Sequence, residues 1–469
     1  MRKTKIVCTI GPASINSNIL RKMIQEGMDV ARLNFSHGTI EEKIETIRKI
    51  RTISKQLKKY VGILADLGGP KFRLGKVEEG AKLVKGKTVI LSAETRLGNA
   101  TKLSLNRKEL IPLLMVGNMV MIWVGKLQLK VIQSGSLQVK CRVVIGGDLK
   151  EGKGLNMPDT KLNIPSLTRK DHADLKVCIQ EKVDFIGLSF VRTSEDVDLC
   201  RKILKRAKSD IFIIAKMEKA EAIKNYKNII KSADGVMVAR GDLGIEVELD
   251  EVPLIQKKII RYANRTGKPV ITATEMLLSM VVSHRPTRAE ASDVANAIID
   301  GSDAIMLSEE TSIGHNPSLV VRIMSKIANT TEKQFNKMEK RKISRSKSKK
   351  LPYAVAGSTV ELAKELEASL VISPTDSGDT PRRIVMFRPN QSVVALSTSQ
   401  RTLQKLSLSW GVVPWKIGKR ISIEKVLPTV RERILEEKIA DRGKQVILCA
   451  GYPFGSTDNK GRIIQVETI

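Results

Sequence analysis

Short runs of nearly continuous apolar and β-branched residues recur along the chain, each closed by polar or glycine-bearing sequence. Eight of them occupy residues 5–10, 29–34, 61–66, 184–190, 211–216, 234–239, 269–273 and 303–307. Runs of this length without polar alternation predict strands buried on both faces. The stretches 18–27, 39–57, 195–207 and 252–266 instead carry apolar residues at helical spacing. Strands alternating with helices predict a parallel sheet covered by helices, and eight such units are the count of a (β/α)8 barrel.

The third and fourth runs are separated by residues 67–183, far more than a βα connection needs. That gap holds strand-like segments at 87–92, 119–123, 127–132 and 137–145 and no helical period of comparable strength. It predicts a small inserted all-β domain. After the eighth unit, residues 333–350 are dense in Lys, Arg and Ser. Such a run reads as a solvated helix end or linker, with a nucleic-acid-binding tail as the sharper alternative. Beyond it, 354–366 is helical in pattern, and 369–373, 392–397 and 445–449 are strand-like. The expected fold class is therefore α/β. A TIM barrel spans 1–69 and 166–340, a small β lid spans 70–165, and an α/β domain spans 351–469.

Composition narrows the function. With 42% hydrophobic residues in 469, the chain supports several cores, which excludes a wholly disordered protein. No apolar run approaches the roughly 20 residues of a membrane helix. The basic start is followed by too short an apolar stretch for a signal peptide, so a soluble, cytoplasmic protein is expected. Lys and Arg number 81 against 50 Asp and Glu, a charge of +31. That surplus suits nucleic acid or a pocket for multiply charged anions. Aromatics at 3% argue against a base-stacking surface, which makes nucleic acid the lesser expectation. The five cysteines are scattered and form no Cys-x-x-Cys pair, so they read as buried thiols, and four scattered histidines make no zinc site.

In a barrel of this kind the site lies at the carboxyl ends of the strands. There the sequence places Thr9, then Arg32 with Asn34, Ser36 and His37, then Asp66 with Lys71 and Arg73. Ser189 and Arg192 follow, then Lys216 and Glu218, Arg240 and Asp242, Thr274 and Glu275, and Glu309 and Glu310. The strand interiors are almost free of charge. Gathering so many ionised groups costs desolvation unless they pair with each other or with ligands. Lys216 and Glu218, two apart on an extended chain, face the same side. Glu218 and Asp242 from adjacent strand ends make a hard oxygen site that Mg²⁺ accepts. With Arg32, Arg73, Arg192 and Lys216 nearby, the pocket suits a phosphorylated anion and phosphoryl transfer. Residues 147–154 come near a Walker A loop but lack its Ser/Thr and the helix that should follow, so a P-loop is rejected.

Four stretches resemble the pyruvate kinases in the right order and over nearly the full length. They are Thr-Lys-Ile-Val-Cys-Thr-Ile-Gly-Pro-Ala-Ser (4–14), Ala-Arg-Leu-Asn-Phe-Ser-His-Gly (31–38), Asp-Gly-Val-Met-Val-Ala-Arg-Gly-Asp-Leu-Gly (234–244) and Arg-Pro-Thr-Arg-Ala-Glu-Ala-Ser-Asp-Val-Ala-Asn-Ala (285–297). The resemblance implies that the insert is a small β-barrel lid, and it implies transfer of phosphate from phosphoenolpyruvate to ADP in glycolysis, with Mg²⁺ or Mn²⁺, in a cytoplasmic, allosteric homotetramer. The same basic fold used as a nucleic-acid or acidic-partner binding protein is the alternative. By the resemblance, Lys216, Thr274 and Arg32 are catalytic, Glu218 and Asp242 hold the metal, and Ala239, Arg240 and Gly241 receive the substrate with Asp242. Thr9, Pro12, Arg32, Asn34, His37, Arg73 and Lys153 contact the nucleotide, and Asn34, Ser36, Asp66 and the Leu67 carbonyl form a monovalent-cation site. In the C-terminal domain Thr375, Ser377, Gly378 and Thr380 resemble a loop for an effector phosphate, with Arg382 and Arg383 following.

The departures are Trp123-Val124-Gly125 where the lid usually carries Asp-Asp-Gly, Glu275 for Gln, Leu278 for Glu, and Glu309 for Gly. Lys71 stands where members that need K⁺ usually carry Glu. An ammonium there supplies the ion's single positive charge, so K⁺ is expected not to be required.

Overall fold

The computed structural model describes every residue of the chain except 124, 159, 161–163, 339–349, 420–421 and 453–460. Val124 and most of the basic run at 333–350 thus lie outside the described residues, and the last helix of the barrel, Pro317–Met338, leads into that run.

The eight apolar runs are eight strands: β1 (Lys5–Ile10), β2 (Val30–Asn34), β3 (Gly62–Asp66), β4 (Phe185–Leu188), β5 (Phe212–Met217), β6 (Gly235–Ala239), β7 (Val270–Ala273) and β8 (Ala304–Leu307). Each pairs in parallel with the next, and β8 closes on β1. Helices cover the outside, and side-chain caps start several of them where the apolar period begins. Thr39 accepts from the Glu42 N–H, while the Glu42 carboxylate accepts from the Thr39 N–H, opening the helix Ile40–Gln56.

The barrel interior explains where the charges go. Val7, Val30, Leu64, Phe185, Ile214, Met237, Ile271, Ala304 and Met306 fill its lower layers. Side chains two residues on point the same way along a strand. The next layer is therefore Thr9, Arg32, Asp66, Gly187, Lys216, Ala239, Ala273 and Ser308. Every charge in that layer rests on an apolar floor. Gly187 leaves room for it, since a Cβ there would stand 3.2 Å from Asp66 Oδ1.

The opposite, amino-terminal mouth is plugged by the C-terminal domain. Leu408 joins the interior cluster, Lys5 Nζ donates to the Val412 carbonyl at 2.8 Å, and Arg388 pairs with Asp303 at 3.1 Å. That domain has a five-stranded sheet in the order Val412–Lys416, Ser392–Ser397, Leu370–Pro374, Gln445–Tyr452, Gly461–Thr468, with only the last strand antiparallel. The two outer strands escape the sequence reading. One contains Pro414 and the other is only half-buried, and both are marks of sheet edges. The insert forms a six-stranded sheet and a two-stranded companion, with one 3-10 turn at Lys108–Leu113.

Candidate functional site

Lys216 is the centre of the layer above the apolar floor. Its Nζ lies 3.1 Å from Glu218 Oε2 and 3.3 Å from Asp66 Oδ1, and it donates to Ser189 Oγ at 2.9 Å. Asp66 in turn pairs with Arg32 at 2.6 Å, and Arg32 donates to Thr9 Oγ1 at 2.8 Å. Thr9, Arg32, Asp66 and Lys216 stand on β1, β2, β3 and β5, with Ser189 and Glu218 just past the ends of β4 and β5, and the spacing of two predicted from the sequence brings Lys216 and Glu218 together. Burial opposes ionisation of Asp66, but Lys216, Arg32 and Lys71 more than offset it and hold the carboxyl down at about 2. Burial also works against the Lys216 ammonium, and Asp66, Glu218 and Asp242 outweigh it, raising its pKa so that it stays charged. Glu218 is pushed up by burial, against the pull of Lys216 and with Asp242 adding to the rise.

A cleft of about 140 Å³ opens beside this cluster, lined by Glu218, Asp242, Lys71, Arg73 and the lid segment Gly154–Asn156 among others. Glu218 Oε1 accepts from the Phe190 N–H, and the buried Oε2 has the Lys216 ammonium at 3.1 Å as its ion-pair partner and no further hydrogen bond. Two carboxylates on one cleft, one with a buried oxygen met only by that ammonium, fit a hard divalent cation. No group of three or more His, Cys, Asp or Glu among the described residues is arranged to hold a metal, so substrate oxygens and water would complete the shell.

The residues expected to receive the substrate form the first turn of a short helix, Arg240–Glu246, with Ala239 as its N-cap. The Gly241 N–H donates to Thr274 Oγ1 at 2.8 Å, which joins the two predicted substrate contacts to each other. Thr274 has φ +74° and Glu275 φ +53°, a left-handed backbone that a β-branched residue adopts only under strain. The Arg240 guanidinium is turned to Asp293 and to the carbonyls of Ala273 and Thr274, so its part at the site falls to its backbone.

Around the predicted cation site, Asn34 Oδ1 accepts from the Ser36 N–H, Ser36 Oγ is buried without a hydrogen-bond partner, and Asp66 Oδ1 has the Lys216 ammonium at 3.3 Å. The Leu67 carbonyl accepts from Ser189 Oγ at 2.7 Å. Ser189, absent from the predicted site, therefore bridges Lys216 and the Leu67 carbonyl; its place at the end of a strand was the only sign. Arg192 departs from expectation. Its guanidinium pairs with Asp196 at the start of the next helix, an i,i+4 contact that makes it a helix-end residue.

On the nucleotide side, Pro12 is exposed and Arg73 donates to the Gly152 carbonyl at 2.8 Å, beside Lys153. His37 is held below the ordinary 6.5, first by burial and then by Arg73, Lys71, Lys43 and Arg32. An anion bound among these cations removes part of that repulsion. ADP should therefore raise the His37 pKa, read from imidazole chemical shifts across a pH titration; an unchanged value would place the phosphates elsewhere.

Leu278 starts the 3-10 turn Leu278–Val281, and Glu309 starts the helical turn Glu309–Ser312. Neither is in the Lys216 cluster. In the C-terminal loop Thr375 Oγ1 accepts from the Gly378 N–H and Ser377 Oγ from the Asp379 N–H, while Asp379 pairs with Arg382 and Arg383. Two of the loop's N–H groups are thus taken within the loop, Arg382 Nη1 is buried without a hydrogen-bond partner, and a phosphate reaching these arginines has to displace Asp379. The five cysteines are all buried and free.

Known proteins match this chain from end to end. The family described as "Pyruvate kinase, barrel domain" matches residues 1–321, and "Pyruvate kinase, alpha/beta domain" matches 353–464. A pyruvate kinase of Thermococcus litoralis is 39% identical over 99% of this chain and 98% of its own length. One from Staphylococcus epidermidis is 41% identical over 97% of this chain and 78% of its own. The crystal structure of a pyruvate kinase from Cryptosporidium parvum superposes with a TM-score of 0.90 at 35% identity, over 100% of this chain and 96% of that one.

Proposed function

This chain belongs to the pyruvate kinase family, and from that premise we propose how its own residues perform the reaction. As a pyruvate kinase it moves the phosphoryl group of phosphoenolpyruvate to ADP, giving pyruvate and ATP. The binding-protein alternative has no support in these relatives. The observation that carries the mechanism is the buried Lys216, held charged between Asp66 and Glu218.

Arg32 and Arg73 take the phosphate oxygens, and the start of the helix Arg240–Glu246 receives the substrate carboxylate, the Gly241 N–H exchanging Thr274 Oγ1 for a carboxylate oxygen. The bond between phosphorus and the enol oxygen breaks as one to an ADP phosphate oxygen forms. Lys216 neutralises charge first on the phosphoryl group and then on the enolate left behind, a fixed charge that needs no reorganisation. The Thr274 hydroxyl stands on the route by which the enolate carbon gains its proton. A divalent cation, Mg²⁺ or Mn²⁺, would be held by Glu218 and Asp242 and would supply Lewis-acid neutralisation of substrate oxygens. A coupled assay of pyruvate formation tests the reading; absence of turnover with Mg²⁺, ADP and phosphoenolpyruvate would contradict it.

Lys71 supports a second element of the proposal, that K⁺ is dispensable. Its side chain lines the same cleft as Glu218 and Asp242. Burial and then Lys216 lower its pKa, with Asp66, Asp242 and Glu218 working the other way. The Asp66 carboxylate of the predicted cation site is already met by cations, Lys216 at 3.3 Å and Arg32 at 2.6 Å. The rate in buffer free of sodium and potassium, with tetramethylammonium holding ionic strength, should rise little on adding K⁺. Lys71→Glu should create a K⁺ requirement, and strong K⁺ stimulation of the parent enzyme would sink the idea.

The reading extends to a homotetramer in the cytoplasm with a phosphorylated effector at residues 375–380. No helix among the described residues is long and apolar enough to cross a membrane.

A further inference from the structure

Trp123 stands at the lid turn between the strands Met119–Ile122 and Leu127–Gln133, with φ +54°. A bulky side chain takes that left-handed backbone rarely and at a cost. Around its ring are three ammonium groups: Lys126 and Lys153 at 4.5 Å from the ring centre and Lys150 at 5.3 Å. They come from two different turns. Among the described residues none of the three is in an ion pair. The whole segment 70–165 is cationic, with 17 Lys and Arg against 7 Asp and Glu, a charge of +10. The ring quadrupole attracts each ammonium, but the three repel one another. Folding alone gains little from the arrangement; an anion between the ammonium groups reverses its cost.

The cluster borders the reaction cleft. The Trp123 N–H donates to the Gly154 carbonyl at 2.9 Å, and Ile122 is in register with Leu155. Gly154 and Leu155 line the cleft that holds Glu218 and Asp242, as does Arg73, which donates to Gly152. Arg73, Lys153, Lys150 and Lys126 thus form a band of positive charge running from the cleft to the lid turn. At this turn the family resemblance leads one to expect carboxylates, which would need a cation between themselves and a phosphate. Ammonium groups meet phosphate oxygens directly.

We propose that Trp123 is a positioning residue whose ring gathers Lys126, Lys150 and Lys153 into a clamp for the phosphate chain of the nucleoside diphosphate. The proposal rests on the phosphoryl-transfer reading and adds how the lid takes hold of that substrate. Steady-state kinetics at low and high salt, with ADP binding followed by calorimetry, test it on the full chain. Lys126→Ala with Lys150→Ala should raise KM for ADP about tenfold, the scale of losing charged hydrogen bonds, and leave KM for phosphoenolpyruvate in place. The salt dependence of KM for ADP should flatten. Trp123→Leu keeps apolar bulk in the lid and should behave like the double lysine variant, whereas Trp123→Phe keeps a π face and should restore most of the affinity. Thermal unfolding confirms that each variant is folded. An ADP Kd equal to the parent's in the double lysine variant overturns the clamp, whether or not the enzyme turns over. Turnover by the parent alongside that result leaves the phosphoryl-transfer reading standing.

Discussion

Lys216→Met lowers kcat at least about a hundredfold, the scale of removing one preorganised charge from a water-excluded site. KM for phosphoenolpyruvate changes less, because Arg32 and Arg73 remain to bind the phosphate. The substitution keeps the length of the stem and removes the ammonium, so Asp66 and Glu218 lose their shared buried partner. Breaking a buried pair from one side costs about 3–5 kcal/mol, so the variant should also unfold at lower temperature. Rates are therefore compared well below its unfolding midpoint. A kcat near that of the parent would show that the charge on Lys216 does not stabilise the transition state.

Asp242→Asn should shift the Mg²⁺ titration steeply upward while leaving the fold intact. Asp242 is at the start of the helix Arg240–Glu246, and no ion pair there depends on its charge, as far as the described residues go. A neutral amide in place of a carboxylate leaves Glu218 as the one charged hard ligand. Glu218 also loses a neighbouring negative charge that raises its pKa, so its own titration should move down. Activity measured against Mg²⁺ separates the two consequences, since excess metal should recover part of the rate. An unchanged Mg²⁺ requirement would reduce Asp242 to a residue of the helix start.

The barrel was legible because a strand buried on both faces has to be apolar throughout, so its ends declare themselves where charge begins. The pairing of Lys216 with Glu218 was legible for a simple reason: two residues of extended chain return to the same face. Other features depend on partners far away in sequence. Ser189 joins Lys216 to the Leu67 carbonyl across three strands, and the Thr274 hydroxyl meets the Gly241 N–H across two. Neither leaves a periodic trace. Arg192 misleads for the opposite reason. It stands at a strand end like the functional cations, but an acid four residues on, inside the next helix, claims it. The helix Arg240–Glu246 leaves no helical period in the sequence, because it is only seven residues long and carries two glycines.

The central claim is that this chain transfers phosphate from phosphoenolpyruvate to ADP at the carboxyl end of its barrel. Phosphorus NMR of the purified protein with both substrates and Mg²⁺ tests it most directly. The phosphoenolpyruvate resonance should disappear as the γ-phosphate resonance of ATP grows in equal amount, with no K⁺ added, and the exchange should stop in Lys216→Met. Unchanged substrate resonances, together with salt-sensitive binding of RNA, would contradict the account.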